Sequence, residues 1–514
     1  MVSDPGSAYA RYLENVFLTR TSHPFLISGF DDRSLTYGEA FDLSRRVAGW
    51  MAGQGVSAGD AVCLSSPNDV DLAVCYLAVM HLGGRIVPLN PQLTTTDRQN
   101  IVAVNQPKLI LADPGLREAT ETLARAAGCE VPLVSGDETL LPSEAREAAP
   151  YARSFGEAGD NDVFLTAYSS GSTAAPKGVD VTWLGMFGNA IAYARHMGLD
   201  QDCRFYNTLP MTYMGGLYNM TMLPAVLGAS TIVDHVLGPA NLFSYWDQVD
   251  DFRADTLWFA AAILSMLMAA DRGDDLSEIT GRVRFSFCGF APLPEEVRLR
   301  FEDRFGLSLL ENYASSECLF VTARKPGVLH PAGSKGPVLE GITVDIIDPD
   351  GALLPQGSEG EVRINTPHLA AGYRAGSETD AAAITPDGFL SGDLGYLDDN
   401  GELFITGRAK DLIIRGGENI SPASVEETLV AHPLVTAAAV AGLPDPVYGE
   451  TVGAALVLGK GGDAGSLEDI TRFCRTNLPN ARVPTKLIIV SDLPKGPTGK
   501  VDRKAVRDLL TAEG

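Results

Sequence analysis

The run Leu165-Thr-Ala-Tyr-Ser-Ser-Gly-Ser-Thr-Ala-Ala-Pro-Lys-Gly-Val179 sets the reading of the whole chain. A β-like lead-in enters a loop dense in Ser, Thr and Gly with a single Lys, and Val181 follows. Small residues let backbone N–H groups converge on an anion, while hydroxyls and an ammonium add further donors. The chemistry is that of a phosphate cradle, although the G-x-x-x-x-G-K-[ST] pattern of a P-loop is absent. As composition alone the run is an ordinary Ser/Gly surface loop; the fixed order of its residues makes it more specific than that.

Around this loop, from Leu35 to about Asp255, short β-rich runs alternate with helical patterns. Leu43–Gln54 reads as a helix ending at Gly55, Asp60–Ser65 as a strand and Asp69–Leu82 as a helix. Arg85–Leu89 and Lys108–Ala112 read as strands, and the rhythm resumes at Ser230–Asp234, Arg284–Cys288 and Ser308–Asn312. Such alternation implies parallel sheets with helices on their faces. Between Thr343 and Gly407 the texture changes to short strands punctuated by turn dipeptides, which predicts a small barrel or hairpin region. A compact segment follows, with strands at Asp411–Arg415, Val435–Ala441, Thr451–Leu458 and Leu487–Val490 and helices from Pro422 and around Leu467–Asn477. The expected fold is therefore α/β. A large N-terminal domain (1–409) would hold two parallel-rich α/β subdomains plus a small β-barrel-like region, and a small mobile α+β domain (410–514) would follow.

The 514 residues carry 40 Lys+Arg against 65 Asp+Glu, a net charge of −25 that argues against a nucleic-acid partner. Seven scattered cysteines without a C-x-x-C pair suit a reducing compartment, and the seven histidines do not cluster at zinc-ligand spacing. Met1–Arg20 shows no basic region leading into an apolar run, and no apolar stretch is long enough to span a bilayer. The expectation is a soluble, cytoplasmic protein with no membrane partner.

Five further motifs lie in order along the chain. They are Leu77-Ala-Val-Met-His-Leu-Gly-Gly-Arg-Ile-Val-Pro-Leu-Asn90, Asn312-Tyr-Ala-Ser-Ser-Glu317, Ser391-Gly-Asp-Leu-Gly-Tyr396, Gly407-Arg-Ala-Lys-Asp-Leu-Ile413 and Pro497-Thr-Gly-Lys500. With the Ser/Gly loop, they make the chain resemble the adenylate-forming superfamily over nearly its whole length. That superfamily includes acyl-CoA synthetases, peptide-synthetase adenylation domains and firefly luciferase. Alone, Asp393 is a turn residue, Lys410 a linker lysine, and Glu317 and Lys500 surface charges; their collinear order outweighs those readings.

The resemblance implies a role for each residue. Ser169, Ser170, Gly171, Ser172, Thr173 and Lys177 would wrap the β- and γ-phosphates of ATP. Tyr313 would stack on adenine opposite the backbone of Gly289, Ala291 and Pro292, with Asn312 on the exocyclic amine and Ala314 alongside. Ser316 would hold the α-phosphate, and Glu317, together with Thr173, would ligate Mg²⁺. Asp393 would accept the ribose hydroxyls, supported by Arg408, and Lys500 would stabilise charge developing between carboxylate and α-phosphate. Lys410 would be the hinge about which the small domain turns between half-reactions. Gly416 and Gly417 would leave room for a thiol arm.

Departures from the family pattern gather at the acid pocket. Phe290 stands where the family has Gly, Ala314 adds a methyl, Tyr213 replaces a common His ahead of Gly215, and Phe259-Ala-Ala replaces Val-Pro-Pro. Together they predict a short, filled pocket for a small or compact aromatic acid, unless the swaps merely conserve core volume. No acid lies between Asn207 and Gly216 to pair an α-ammonium, which disfavours amino acids. The implied reaction is adenylation of such an acid by MgATP, then transfer to coenzyme A. Other readings are loading of a carrier-protein phosphopantetheine, activation of a non-carboxylate oxyanion such as nitrite, and an inactive nucleotide-binding protein. Relatives of this kind are monomers or homodimers.

Overall fold

The β-rich runs on either side of the Ser/Gly loop pair into one seven-stranded sheet. In the computed structural model, which describes residues 8–129, 132–169, 177–291, 293–374, 382–459, 461–495 and 501–512, its order is as follows. Gly372–Arg374 and Lys177–Thr182 form an antiparallel edge; Val163–Ser169, Arg85–Pro88, Ala61–Ser65, Leu109–Ala112 and Leu133–Val134 then run parallel. The Ser/Gly loop thus joins two strands of one hairpin.

A second sheet of eight strands runs Leu319–Ala323, Leu309–Ser315, Phe285–Gly289, Thr256–Ala260, Arg204–Asn207, Ser230–Val233, Pro24–Ser28 and Ser34–Thr36. Its six central strands are parallel and its two edge strands antiparallel. The helix Val70–Leu82 touches strands of both sheets and is buried on every side, as a helix apolar all round must be. Asp69 caps its start and Gly83, left-handed at φ 67°, ends it. The preceding helix begins at Tyr37, six residues before the expected Leu43. Thr36 and Glu39 form a capping box there that supplies its first free N–H groups with partners.

The turn-rich region folds into an antiparallel sheet ordered Ser334–Pro337, Glu402–Arg408, Gly388–Leu397, Gly360–Asn365 and Thr343–Ile347, with Ile384–Thr385 pairing to Gly388–Leu397. The last segment builds a fourth sheet from Glu418–Ile420, Ile413–Arg415, Gly449–Leu458, Val435–Asp445 and Lys486–Ile489. Helices Pro422–Val430, Leu467–Asn477 and Arg503–Ala512 belong to the same segment. A single 3₁₀ turn, Ala409–Asp411, joins the third sheet to the fourth, and Lys410 lies in it. Among the described residues no helix is long and apolar enough to cross a membrane.

Candidate active site

Parallel sheets present their loops, and usually their ligands, at the carboxyl ends of their strands. Gly289 ends its strand, and Asn312 follows the stretch Leu309–Glu311 that pairs parallel with it on the neighbouring strand of the second sheet. A Cβ at Gly289 would lie 2.9 Å from Asn312 Oδ1, so the glycine makes room for that amide. Asn312 donates to the Cys288 carbonyl at 3.3 Å, and its Oδ1 accepts nothing among the described residues. Glu311, one residue earlier, is buried and paired with Arg324 at 3.2 Å and with Lys335, which anchors the strand from behind.

Tyr313 reaches across to the third sheet, where its hydroxyl donates to Asp393 Oδ2 at 2.6 Å. Asp393 and Arg408 are direct cross-strand neighbours, and Arg408 Nε donates to Asp393 Oδ1 at 2.8 Å. Burial and then the Asp393 charge hold the Tyr313 phenol well above its ordinary range, so it stays a donor. For Arg408, burial opposes the charge, but Asp393, Tyr313 and Asp411 together outweigh it and the guanidinium is held more firmly protonated. Each Asp393 oxygen has a lone pair to spare, so two more hydroxyl donors can be accepted.

Ser316 and Glu317 occupy the turn between Leu309–Ser315 and Leu319–Ala323. Ser315 Oγ accepts from the Cys318 N–H at 3.1 Å, and Leu319 closes the turn at φ 59°. Glu317 is half-buried; Tyr373 donates to its Oε1 at 2.9 Å, and its other oxygen has no hydrogen-bond partner among the described residues. One carboxylate oxygen fixed and one open is a fit for a hard cation that keeps most of its waters.

Lys177 opens the strand that leaves the Ser/Gly loop. Burial, then Arg408 and, less strongly, Lys177 lower the pKa of Lys410, against Asp411 and Asp393, which raise it. Of the expected phosphate and metal ligands, Ser170, Gly171, Ser172 and Thr173 lie outside the described residues, as do Pro292, Lys500 and the side chain of Ser169.

At the expected acid pocket, Phe290 adopts φ 72°, a left-handed conformation that suits glycine. Its ring lies against Gly215, where a Cβ would come within 3.0 Å of Phe290 Cζ. Gly215 opens a π-helical run, Gly215–Met222, of a kind frequent at functional sites. The Phe259 ring packs on Tyr245 and Phe301, and Trp258 takes the face toward Phe290, with ring centroids 6.4 Å apart. Strand side chains alternate, so adjacent residues face opposite ways. Tyr213 turns its buried hydroxyl toward Asn90 without a well-formed hydrogen bond, and Asn90 Nδ2 is also without a partner among the described residues. Beside Tyr213 a cavity of about 10 Å³ remains, lined also by Thr212, Met214 and Leu217. Ala291 is half-buried, and Ala314 is exposed on its strand.

Gly416 and Gly417, at φ 58° and 90°, form the two-residue turn between Ile413–Arg415 and Glu418–Ile420. Two consecutive left-handed residues are what such a hairpin requires, so both glycines have a conformational reason to be there. Tyr373, Trp258 and Asn90 were not legible as site residues. Tyr373 sits in a plain Gly-Tyr-Arg run, Trp258 in an apolar strand, and Asn90 at the end of the run Leu77–Asn90, whose residue types state no pocket chemistry.

Residues 13–374 match the model of the family described as AMP-binding enzyme, and residues 424–500 match AMP-binding enzyme C-terminal domain. A probable CoA ligase of Humulus lupulus is 30% identical over 95% of this chain and 93% of its own length. Sulfoacetate–CoA ligase of Cupriavidus necator is 30% identical over 93% of each chain. The crystal structure of ATP-bound MatB from Rhodopseudomonas palustris superposes with a TM-score of 0.88. It is 26% identical and covers 97% of this chain and 98% of its own.

Proposed function

The chain belongs to the AMP-binding enzyme family as an AMP-forming acid–thiol ligase, and from that premise we propose both the acid class it activates and the residues that act. The proposed substrate is a small or compact aromatic carboxylic acid, joined to AMP and then to coenzyme A. The observation that carries this is the Phe290 ring lying against Gly215, which fills the space a longer acyl chain would need. The sulfoacetate named for one relative, itself a small acid, agrees with that size.

In this reading Tyr313, Asn312 and Gly289 seat the adenine, and Asp393 accepts the ribose hydroxyls with its charge balanced by Arg408. Fixing the nucleotide at both base and ribose aligns the α-phosphate for attack, and such positioning lowers the barrier of a two-substrate step. Ser316 donates to the α-phosphate. Lys177 faces the outer phosphates, and Lys500 offsets charge on the attacking carboxylate and α-phosphate. Glu317 would hold Mg²⁺ with Thr173; when bound, that ion neutralises phosphate charge and favours departure of pyrophosphate. Lys410 is the proposed hinge between residues 1–409 and 410–514, and the turn at Gly416–Gly417 is the proposed face for the thiol arm.

The test is pyrophosphate release across small aliphatic, dicarboxylic and aromatic acids and nitrite, each with and without coenzyme A. Release with a compact acid, and a thioester only when coenzyme A is present, is the expected outcome. Release without thioester would move the acceptor to a carrier protein or an amine. Turnover of long-chain acids in preference to compact ones would overturn the size assignment.

A further inference from the structure

The segment 370–374 touches both halves of the proposed phosphate machinery. On one side, the Ala370 N–H donates to the Glu317 carbonyl at 2.8 Å, and the Tyr373 hydroxyl donates to Glu317 Oε1 at 2.9 Å. On the other, Gly372–Arg374 pairs antiparallel with Lys177–Thr182, the strand leaving the Ser/Gly loop. The Ala371 N–H donates to the Asp180 carbonyl at 2.8 Å, and Arg374 Nε lies 2.9 Å from Asp180 Oδ2. Asp180 in turn accepts from Thr166 at 2.6 Å, and Thr166 accepts from the buried Arg85 at 2.6 Å. Both strands of the loop's hairpin are therefore tied to the strand that carries Tyr373.

We propose that Tyr373 is a positioning residue for the metal carboxylate Glu317, held by the strap 370–374 in register with the phosphate-binding hairpin. This rests on the reading of Glu317 as the Mg²⁺ ligand. The turn fixes the Glu317 backbone, but its side chain keeps rotamer freedom that a metal ligand must lose on binding. A phenol donor occupying Oε1 removes much of that freedom beforehand and turns Oε2 outward. Metal ligands are commonly oriented by such an outer hydrogen bond, whose loss costs affinity. Because Tyr373 rides on the strand paired to the hairpin, the carboxylate and the phosphate groups share one frame.

The test is Mn²⁺ binding, followed by electron paramagnetic resonance, in the presence of a non-hydrolysable ATP analogue. The wild-type enzyme is compared with Tyr373→Phe and Glu317→Gln. Tyr373→Phe keeps the ring and loses the donor, so the Mn²⁺ dissociation constant is expected to rise roughly five- to tenfold, the effect of one hydrogen bond. Metal-free AMP affinity and the thermal midpoint should stay at wild-type values, which a merely structural role for Tyr373 would not give. Unchanged Mn²⁺ affinity in Tyr373→Phe, with affinity lost in Glu317→Gln, overturns the role of Tyr373 alone. Unchanged affinity in both variants overturns the reading of Glu317 and the inference with it.

Discussion

The proposed nucleoside seat and the proposed acid pocket meet at the carboxyl ends of the same parallel strands, but different forces hold them. The seat is a set of directed polar bonds between strands: Tyr313 to Asp393 at 2.6 Å and Arg408 to Asp393 at 2.8 Å, with Asp393 only 7% exposed. The pocket is held by aromatic packing on irregular backbone, with Phe290 left-handed and Gly215 at the head of a π-helical run. Directed bonds between charged groups tolerate little substitution, whereas packing can be redistributed among neighbours. That difference predicts a seat shared with relatives that act on other acids, and a pocket free to diverge.

The largest effect should follow from breaking the seat. Asp393→Asn removes the charge that balances Arg408 and the proposed acceptor for the ribose hydroxyls. A charged hydrogen bond is worth about 1.5–3 kcal/mol, so KM for ATP should rise roughly 10- to 100-fold while KM for the acid moves little. Steady-state kinetics with each substrate varied in turn will read this. An effect confined to the acid would exchange the two regions.

A smaller and opposite change is expected at the pocket. Phe290→Gly suits φ 72° and relieves roughly 1–2 kcal/mol of left-handed strain. It also removes the ring from Gly215, so kcat/KM for acids longer by two or three carbons should rise roughly tenfold. KM for ATP should stay flat. If the variant gains no longer acids, Phe290 is filling space that a neighbour would otherwise fill, and Trp258 beneath it becomes the residue to change.

How legible each region was follows from the same contrast. Asn312 and Tyr313 lie far from Asp393 and Arg408 in the chain, yet each sits in a short motif whose residue types state their chemistry. The structure brings the last three into direct contact. The parallel sheets were equally readable, because alternating strand and helix leaves few topologies open. Packing was not readable in that way. The sequence pattern marks Phe259 and Trp258 alike as apolar strand residues, and only the facing of the strand decides which meets Phe290. Tyr373 was missed because its partner, Glu317, lies 56 residues away, and no local pattern links a phenol to a carboxylate at that distance.

The smallest effect separates the acid pocket from the buried histidines by pH. His368 lies in the segment leading to Tyr373, with its ring against Gly188, and burial pulls its pKa from 6.5 down to about 4. His81, buried beneath the first helices, is pulled to about 3, chiefly by burial and secondarily by Arg45. Both folded-state values lie below the unfolded one, so the unfolded chain takes up protons first as pH falls. Stability is therefore full above about pH 6.5 and declines below it, down toward the folded pKa values. Between pH 6.5 and 5.5 each histidine should cost about 1 kcal/mol, a drop of roughly 2–4 °C in thermal midpoint for the pair. His368→Gln should remove about half of that drop. The acid pocket carries Tyr213 instead of a histidine, and burial raises its phenol pKa above the usual range, so it stays neutral throughout the window. KM for the acid should accordingly be flat from pH 6.5 to 5.5 while the melting midpoint falls. A KM that tracks the midpoint would show that the acid pocket is coupled to the buried histidines.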